Sequence, residues 1–377
     1  MGPFFCKRGG SWRVGVLARL KENLDAEFYP VFGNKKGAGA MDASEEAGVY
    51  RFSHEAMTTT FELIVTQAEA EVALQAALAV FQEIERYERL LSRFDPCSDL
   101  SQINRLRPGE RVCVTAELFE CLQIAQRVSE ETRGAFDVTV GPLMRCWRGE
   151  EGRVKIPSDE EVEQARARIG MDRVLLLGQP DLAEVEQGAP FGFLVGVREE
   201  SAGGVTDGVE LDLGAIGKGY ALDKSIGILD DWGIESAILH SGTSTSLAIG
   251  DGGEAGGCWP GERGWPIGVG GDHSAALGLD TVLVRNAAVS GSGKEVKGEH
   301  ILDPRTGRPA RGHAAAWVMC PSATLSDALS TAFMVMPPEE IEAFCARHGD
   351  VAAMVLENRE GLDSRLLCFG RWEKRQR

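Results

Sequence analysis

The stretch Leu211–Asp223, LDLGAIGKGYALD, constrains this chain more than any other. It opens with period-two alternation, Leu211 and Leu213 flanking Asp212, which reads as a strand. Gly214, Gly217 and Gly219 then interrupt that period, and Tyr220-Ala221-Leu222-Asp223 begins a helical run toward Trp232. Glycines at a strand-to-helix turn admit backbone angles closed to other residues and let a ligand come close to the main chain. The free N–H groups of a helix start favour an anion such as a phosphate. Lys218 adds a positive charge within the turn, and Asp212 adds a carboxylate just before it. The spacing is neither G-x-x-x-x-G-K-[ST] nor G-x-G-x-x-G. The residues alone therefore leave two readings open, a phosphate-binding turn or a tight turn with a solvated lysine.

Composition narrows the classes. A chain of 377 residues can bury one large core or two ordinary ones. A formal charge of −17 and an isoelectric point near 4.9 argue against non-specific binding to nucleic acid or an anionic membrane, both of which need a basic surface. The nine cysteines, an odd number without a C-x-x-C pair, form neither a disulfide framework nor a zinc site. They fit a reducing compartment, and the expectation is a cytoplasmic protein. No apolar run approaches the length of a membrane span.

Residues 1–46 read as an N-terminal extension and linker. The first twenty are basic and mildly apolar but lack a long apolar region and a small-residue cleavage site, so they do not read as a signal peptide. GNKKGAGAMDASEEAG has linker composition, and Met41 is an alternative start. The domain proper is placed at 47–377. Its strands are expected at 49–52, 59–65, 172–178, 192–198, 209–213, 236–239, 266–269, 280–286, 317–320 and 351–357. Helices are expected at 68–90, 114–133 (capped by Thr115 and stopped by Gly134), 158–170, 223–232, 326–335 (capped by Thr324 or Ser326) and 339–348. Ser98 is a cap for a short helix through Asn104. The Gly-rich 250–266 reads as a surface loop. Strands and helices mix without a βαβ rhythm, which predicts an α+β fold.

Three further clusters carry chemistry. Asp327 and Thr331 stand at i and i+4 on a helix and share a face. Both are hard oxygen donors of the kind Mg²⁺ accepts, completing its octahedron with phosphate oxygens and water. The alternative is a carboxylate favouring the helix dipole and a hydroxyl bonded back to a carbonyl. His300-Ile301-Leu302-Asp303-Pro304-Arg305-Thr306-Gly307 joins a histidine, which titrates near neutrality, to two tight turns. Ala135-Phe136-Asp137 offers an aromatic face and a carboxylate after Gly134. Met57 and Phe94 read by default as core residues. No G-x-S-x-G, H-E-x-x-H or C-x-x-C occurs.

The order of these clusters is more specific than any one of them. Met57-Thr58-Thr59-Thr60-Phe61, SRFDPCSDLSQIN, GAFDVTVGPLMRCW, LDLGAIGKGYALD, HILDPRTGRP and DALSTAF together closely resemble the ApbE family of flavin transferases, from about residue 50 to about residue 357. The resemblance implies a compact α+β, mixed-sheet domain with FAD in a cleft. It implies Mg²⁺-dependent FAD:protein FMN transfer, in which FAD is cleaved and FMN is attached through a phosphoester to a Thr or Ser of a client protein, with release of AMP. By the same resemblance Met57, Phe94, Ala135, Phe136, Asp137, Asp212, Lys218, His300 and Ile301 fall at flavin-nucleotide positions. Asp327 and Thr331 fall at metal positions, and Ala215 at one whose backbone carbonyl completes the metal site. Lys218 and backbone N–H groups would hold pyrophosphate oxygens, and His300 is the candidate general base, with Asp303 second. Two other readings share these residues, an FAD pyrophosphatase and a non-catalytic FAD-binding protein. The chain departs from the family pattern at Thr58, where glycine is usual. It departs again at Thr243-Ser244, where Gly-Asp is common, and at Ser330, a carboxylate in some members.

Overall fold

The computed structural model describes residues 49–148, 155–179, 192–199, 207–252, 263–270, 281–294, 301–358 and 365–371. The extension 1–46 and His300 lie outside the described residues. The first elements are β1 (Val49–Ala56), β2 (Thr59–Thr66), α1 (Ala70–Leu91), α2 (Asp99–Ile103), β3 (Arg111–Val114) and α3 (Ala116–Glu131). Then come α4 (Gly141–Trp147), α5 (Asp159–Arg166), β4 (Val174–Gly178), β5 (Phe193–Val197), α6 (Gly217–Asp231), β6 (Ala237–Ser241) and β7 (Thr245–Ile249). The remainder are β8 (Trp265–Gly268), β9 (Thr281–Val284), β10 (Ala287–Gly293), β11 (Leu302–Asp303), β12 (Arg308–Pro309), β13 (His313–Cys320), α7 (Ala323–Phe333), α8 (Pro338–Arg347), β14 (Ala352–Glu357) and β15 (Arg365–Phe369).

Among the described residues an eight-stranded sheet runs in the order β1-β2-β6-β7-β10-β13-β14-β15. Every one of its neighbouring pairs is antiparallel. Alternation along each strand sorts the side chains onto two faces. Phe61, Leu63 and Val65 of β2, Ala237 and Leu239 of β6, and Val318 and Cys320 of β13 enter the main core. That core is closed by α1, α3, α6, α7 and α8. Ile64, Ile238, Ala248, Val289, Trp317 and Met354 point the other way and pack with Trp265, Ile267, Val282 and Val284 of the β8–β9 pair. A second sheet orders β3-β5-β4. The architecture is the α+β arrangement expected of the sequence, with its strands paired antiparallel among the described residues.

Helix α1 buries Ala73, Ala76, Ala77, Val80, Phe81, Ile84, Tyr87 and Leu91, spaced three and four apart along one face. Each large apolar side chain so buried contributes about 1.5–3 kcal/mol. Ser98 and Thr115 cap α2 and α3 as expected, accepting the N–H of Ser101 and of Leu118. The cap of α7 is neither Thr324 nor Ser326 but Ser322, whose hydroxyl accepts the Leu325 N–H. Asp223 of α6 completes that helix start by accepting the N–H groups of Ala323 (2.7 Å) and Thr324 (2.9 Å) and the hydroxyls of Ser322 and Thr324 (2.6 Å each).

Two expectations are corrected. Residues 209–213 are extended but belong to no sheet. Their backbone groups are satisfied elsewhere: Leu211 N–H donates to Asn104 Oδ1 (2.7 Å), Leu211 O accepts from Asn104 Nδ2 (3.0 Å), and Asp212 N–H donates to Val138 O (2.7 Å). An asparagine side chain thus stands where a neighbouring strand would be. Conversely, the central strand β10, which contains AVSGSG, stands where no strand was expected. Gly291 lies opposite Trp317 of β13, and a Cβ on it would come within 3.0 Å of the indole. The packing of Trp317 is what requires the small residue.

Candidate active site

The glycine turn and the first turn of α6 are the centre of the arrangement. Ile216, at the N-cap, offers no side-chain cap; the N–H groups of Ile216 (3.1 Å) and Gly217 (2.7 Å) both go to Leu213 O. Gly219 gives its N–H to Asp327 Oδ2 of α7 (3.1 Å). The two helices meet so closely there that a Cβ on Gly219 would lie 2.2 Å from Ala323 O and 2.9 Å from Asp327 Cβ. Lys218, one residue earlier, donates from Nζ to Gly214 O (2.9 Å) and lies 3.9 Å from Asp327 Oδ2. The glycine at 219 therefore brings a carboxylate from a distant segment against the lysine of the turn.

On the other side of the turn, Asp212 Oδ1 accepts the Gly214 N–H (2.8 Å) and its Oδ2 pairs with Arg93 Nε (3.1 Å). The Arg93 guanidinium lies 4.5 Å from the centre of the Phe94 ring. Phe94 is 78% exposed, which corrects the default expectation of a core residue. Its ring is displayed to solvent rather than packed in the core. Met57 meets that default halfway, half-buried against the main core at the tip of the β1–β2 hairpin.

The Ala135-Phe136-Asp137 segment joins this group through the Asp212 N–H to Val138 O bond. Ala135 and Phe136 themselves are buried in the main core. Asp137 Oδ1 accepts from Thr139 N (2.7 Å) and Oγ1 (2.6 Å). Burial pushes its carboxyl up to about 6, the two Thr139 bonds acting in the opposite direction. Ile301 is buried in the same core, its carbonyl taking the Ala310 N–H (2.9 Å). Asp303, following it, is committed to Arg305, whose N–H (3.0 Å) and Nε (3.1 Å) reach the same oxygen. Arg305 in turn donates to Val335 O (2.8 Å), anchoring this loop on the α7–α8 junction.

The donor chemistry of α7 fits a small hard cation. Asp327 is 4% exposed, and Thr331 lies one turn on. Ser330 and Thr331 both bond back to Asp327 O (2.9 and 3.5 Å), and Ser330 also reaches Ser292 Oγ of β10 (2.8 Å). Ser292 also lies 3.3 Å from Thr331 Oγ1. Ala215 is half-buried in the turn before α6. Among the described residues there is no cluster of three or more His, Cys, Asp or Glu side chains of metal-site geometry. A cation at this position would accordingly draw on neutral oxygens and on ligand phosphates.

The described structure thus gathers Phe94, Asp212, Lys218 and Asp327 around one turn, with Thr331 one helical turn beyond Asp327, ties 135–137 to it, and brings in Arg93, which the sequence analysis did not single out. The signal for Arg93 was its place beside Phe94 in SRFDP. A family model described as the ApbE family matches residues 57–355. The chain belongs to the ApbE family. An ApbE relative in Treponema pallidum (strain Nichols), named FAD:protein FMN transferase, is 26% identical over 360 residues, covering 92% of this chain and 91% of the relative. A relative of the same name in Escherichia coli (strain K12) is 23% identical over 311 residues, covering 79% and 82%. The fold superposes on the apo crystal structure of the Pseudomonas stutzeri flavinyl transferase ApbE with a TM-score of 0.67 at 25% identity, covering 87% of this chain and 97% of that one.

Proposed function

We propose that this ApbE-family chain is an FAD:protein FMN transferase that uses Mg²⁺. The observation that carries the reading is the meeting of Lys218, the α6 start and Asp327 across Gly219, beside the Arg93–Asp212 pair and the exposed Phe94 ring. Cation, helix N-terminus and metal-type oxygens converge where a pyrophosphate would lie, with an aromatic surface within reach.

In the reaction, the hydroxyl oxygen of a client Thr or Ser attacks the FMN phosphorus. The new O–P bond forms as the pyrophosphate P–O bond breaks, and the electron pair leaves on AMP. Lys218 holds the non-bridging oxygens and favours the charge that builds on them, the N–H groups of Gly214, Ile216, Gly217 and Gly219 being already bonded within the turn and to Asp327. Ala215 O, Asp327 and Thr331 would hold Mg²⁺, which supplies Lewis-acid neutralisation of the pyrophosphate when bound. The client hydroxyl gives up its proton to His300. Asp303 is the weaker candidate because Arg305 already occupies its carboxylate. Among the described residues no helix is long and apolar enough to cross a membrane.

The test is to incubate the protein with FAD and Mg²⁺, with and without a Thr-containing flavinylation-domain client, following AMP and client mass. The expected result is a gain of one FMN per client, dependent on Mg²⁺. His300→Ala should lower the transfer rate by roughly 10²-fold with FAD still bound. AMP without any client gain would instead mark a pyrophosphatase, and bound FAD without AMP a binding protein.

A further inference from the structure

We propose that Glu88 is a positioning residue: it holds the β1–β2 turn, and with it Met57, against the helix end that organises the nucleotide site. The proposal rests on the flavin-transferase reading. Ala56 and Thr59 are paired partners, leaving Met57 and Thr58 as a two-residue hairpin loop. Both are left-handed, at φ +49° and +61°. Such a turn favours Asn-Gly, and a β-branched residue in that region is strained. Met-Thr therefore does not hold this conformation through its own preferences, and the surroundings must impose it.

Two contacts do so. The Met57 N–H, which has no partner in the hairpin ladder, donates to Glu88 Oε1 at 2.6 Å. On the opposite side, Thr60 O accepts the Gly242 N–H (2.8 Å). Gly242 is itself left-handed, at φ +54°, and so close that a Cβ there would lie 2.3 Å from Thr59 Oγ1. The first of these contacts has a consequence for the site. Glu88 lies in the last turn of α1, and that same helix end reaches two other site segments. Leu91 Cδ1 packs 3.6 Å from the Cβ position of Gly217, and Arg93, just past the helix, pairs with Asp212 (3.1 Å). The end of α1 is thus a common mount for the Met57 turn, the glycine turn and the Arg93–Phe94 pair. Glu88 is its link to the first.

The test measures FAD binding by flavin fluorescence, alongside steady-state transfer, in wild type, E88A, E88Q, T58G and E88A/T58G. Loss of a charge-assisted bond to a backbone N–H should raise the FAD Kd and KM of E88A roughly tenfold, with kcat changed less than about threefold. E88Q keeps an acceptor oxygen and should stay within about threefold of wild type. In the T58G background the strain of the β-branched residue is relieved and only that of Met57 is left, so adding E88A should cost only about threefold. An E88A variant that binds FAD like wild type would overturn the assignment. So would an E88Q variant as weak as E88A, or an equal loss with and without T58G. A thermal midpoint for each variant separates a misfolded E88A from a misplaced turn, and E88Q and T58G carry the test if E88A does not fold. Wild type that fails to bind FAD at all would defeat the functional reading itself, and the role of Glu88 with it.

Discussion

Asp327→Asn is expected to lower FMN transfer by roughly 10²–10³-fold while leaving the protein folded, because on the proposed reading several kcal/mol of charge stabilisation by a metal would depend on that carboxylate. The asparagine oxygen can still accept the Gly219 N–H that Asp327 Oδ2 now takes at 3.1 Å. What disappears is the negative charge, which faces Lys218 at 3.9 Å and would face Mg²⁺. Asp327→Ala should lose activity to the same degree and also about 1–2 kcal/mol of stability, since the Gly219 N–H is then left unpaired between two packed helices. The decisive comparison is the Mg²⁺ dependence of the transfer rate. The asparagine variant should need far more Mg²⁺ and still not reach the wild-type rate. A rate within threefold of wild type at saturating Mg²⁺ would remove Asp327 from the metal site and leave it a helix-packing role.

That prediction also shows what was legible in the sequence. The i, i+4 spacing of Asp327 and Thr331 placed both on one face of a helix, and the structure agrees because local periodicity alone decides it. The glycines at 214, 217 and 219 marked a turn before a helix for the same local reason. What sequence could not show was the partner. Asp212 ends an extended segment rather than a strand because Asn104, 107 residues away, takes the backbone bonds of Leu211. Glu88 reaches Met57 from 31 residues away, and Arg93, just past the end of α1, reaches Asp212 of a distant segment. Strand β10 was hidden because its glycine serves Trp317 across the sheet and not its own propensity. The default core reading of Phe94 failed because aromatic residues usually go inside, whereas this one is 78% exposed.

Gly219→Ala should destabilise the fold by about 3 kcal/mol, although it adds one methyl group in the first turn of a helix, where alanine is otherwise the better residue. The obstacle is backbone: the new Cβ would lie 2.2 Å from Ala323 O and 2.6 Å from Ala323 C. Neither atom can rotate away. Relief requires α6 and α7 to separate, yet Asp223 of α6 ties Ser322, Ala323 and Thr324 at the start of α7 through four hydrogen bonds. Separation therefore strains or breaks those bonds as well. Because both residues act on the same helix contact, D223A and G219A should combine to less than the sum of their separate effects. The same movement draws Asp327 from Lys218, so transfer should fall with stability. Gly227, two turns along the same helix, is exposed, and a Cβ there meets nothing within 4 Å. G227A should accordingly stabilise the protein by about 0.5–1 kcal/mol through helix propensity alone. Denaturant midpoints of the two variants should move in opposite directions from wild type. If G219A unfolds no more easily than G227A, the helices are not in contact at Gly219, and the lysine and the carboxylate are brought together by something other than that glycine.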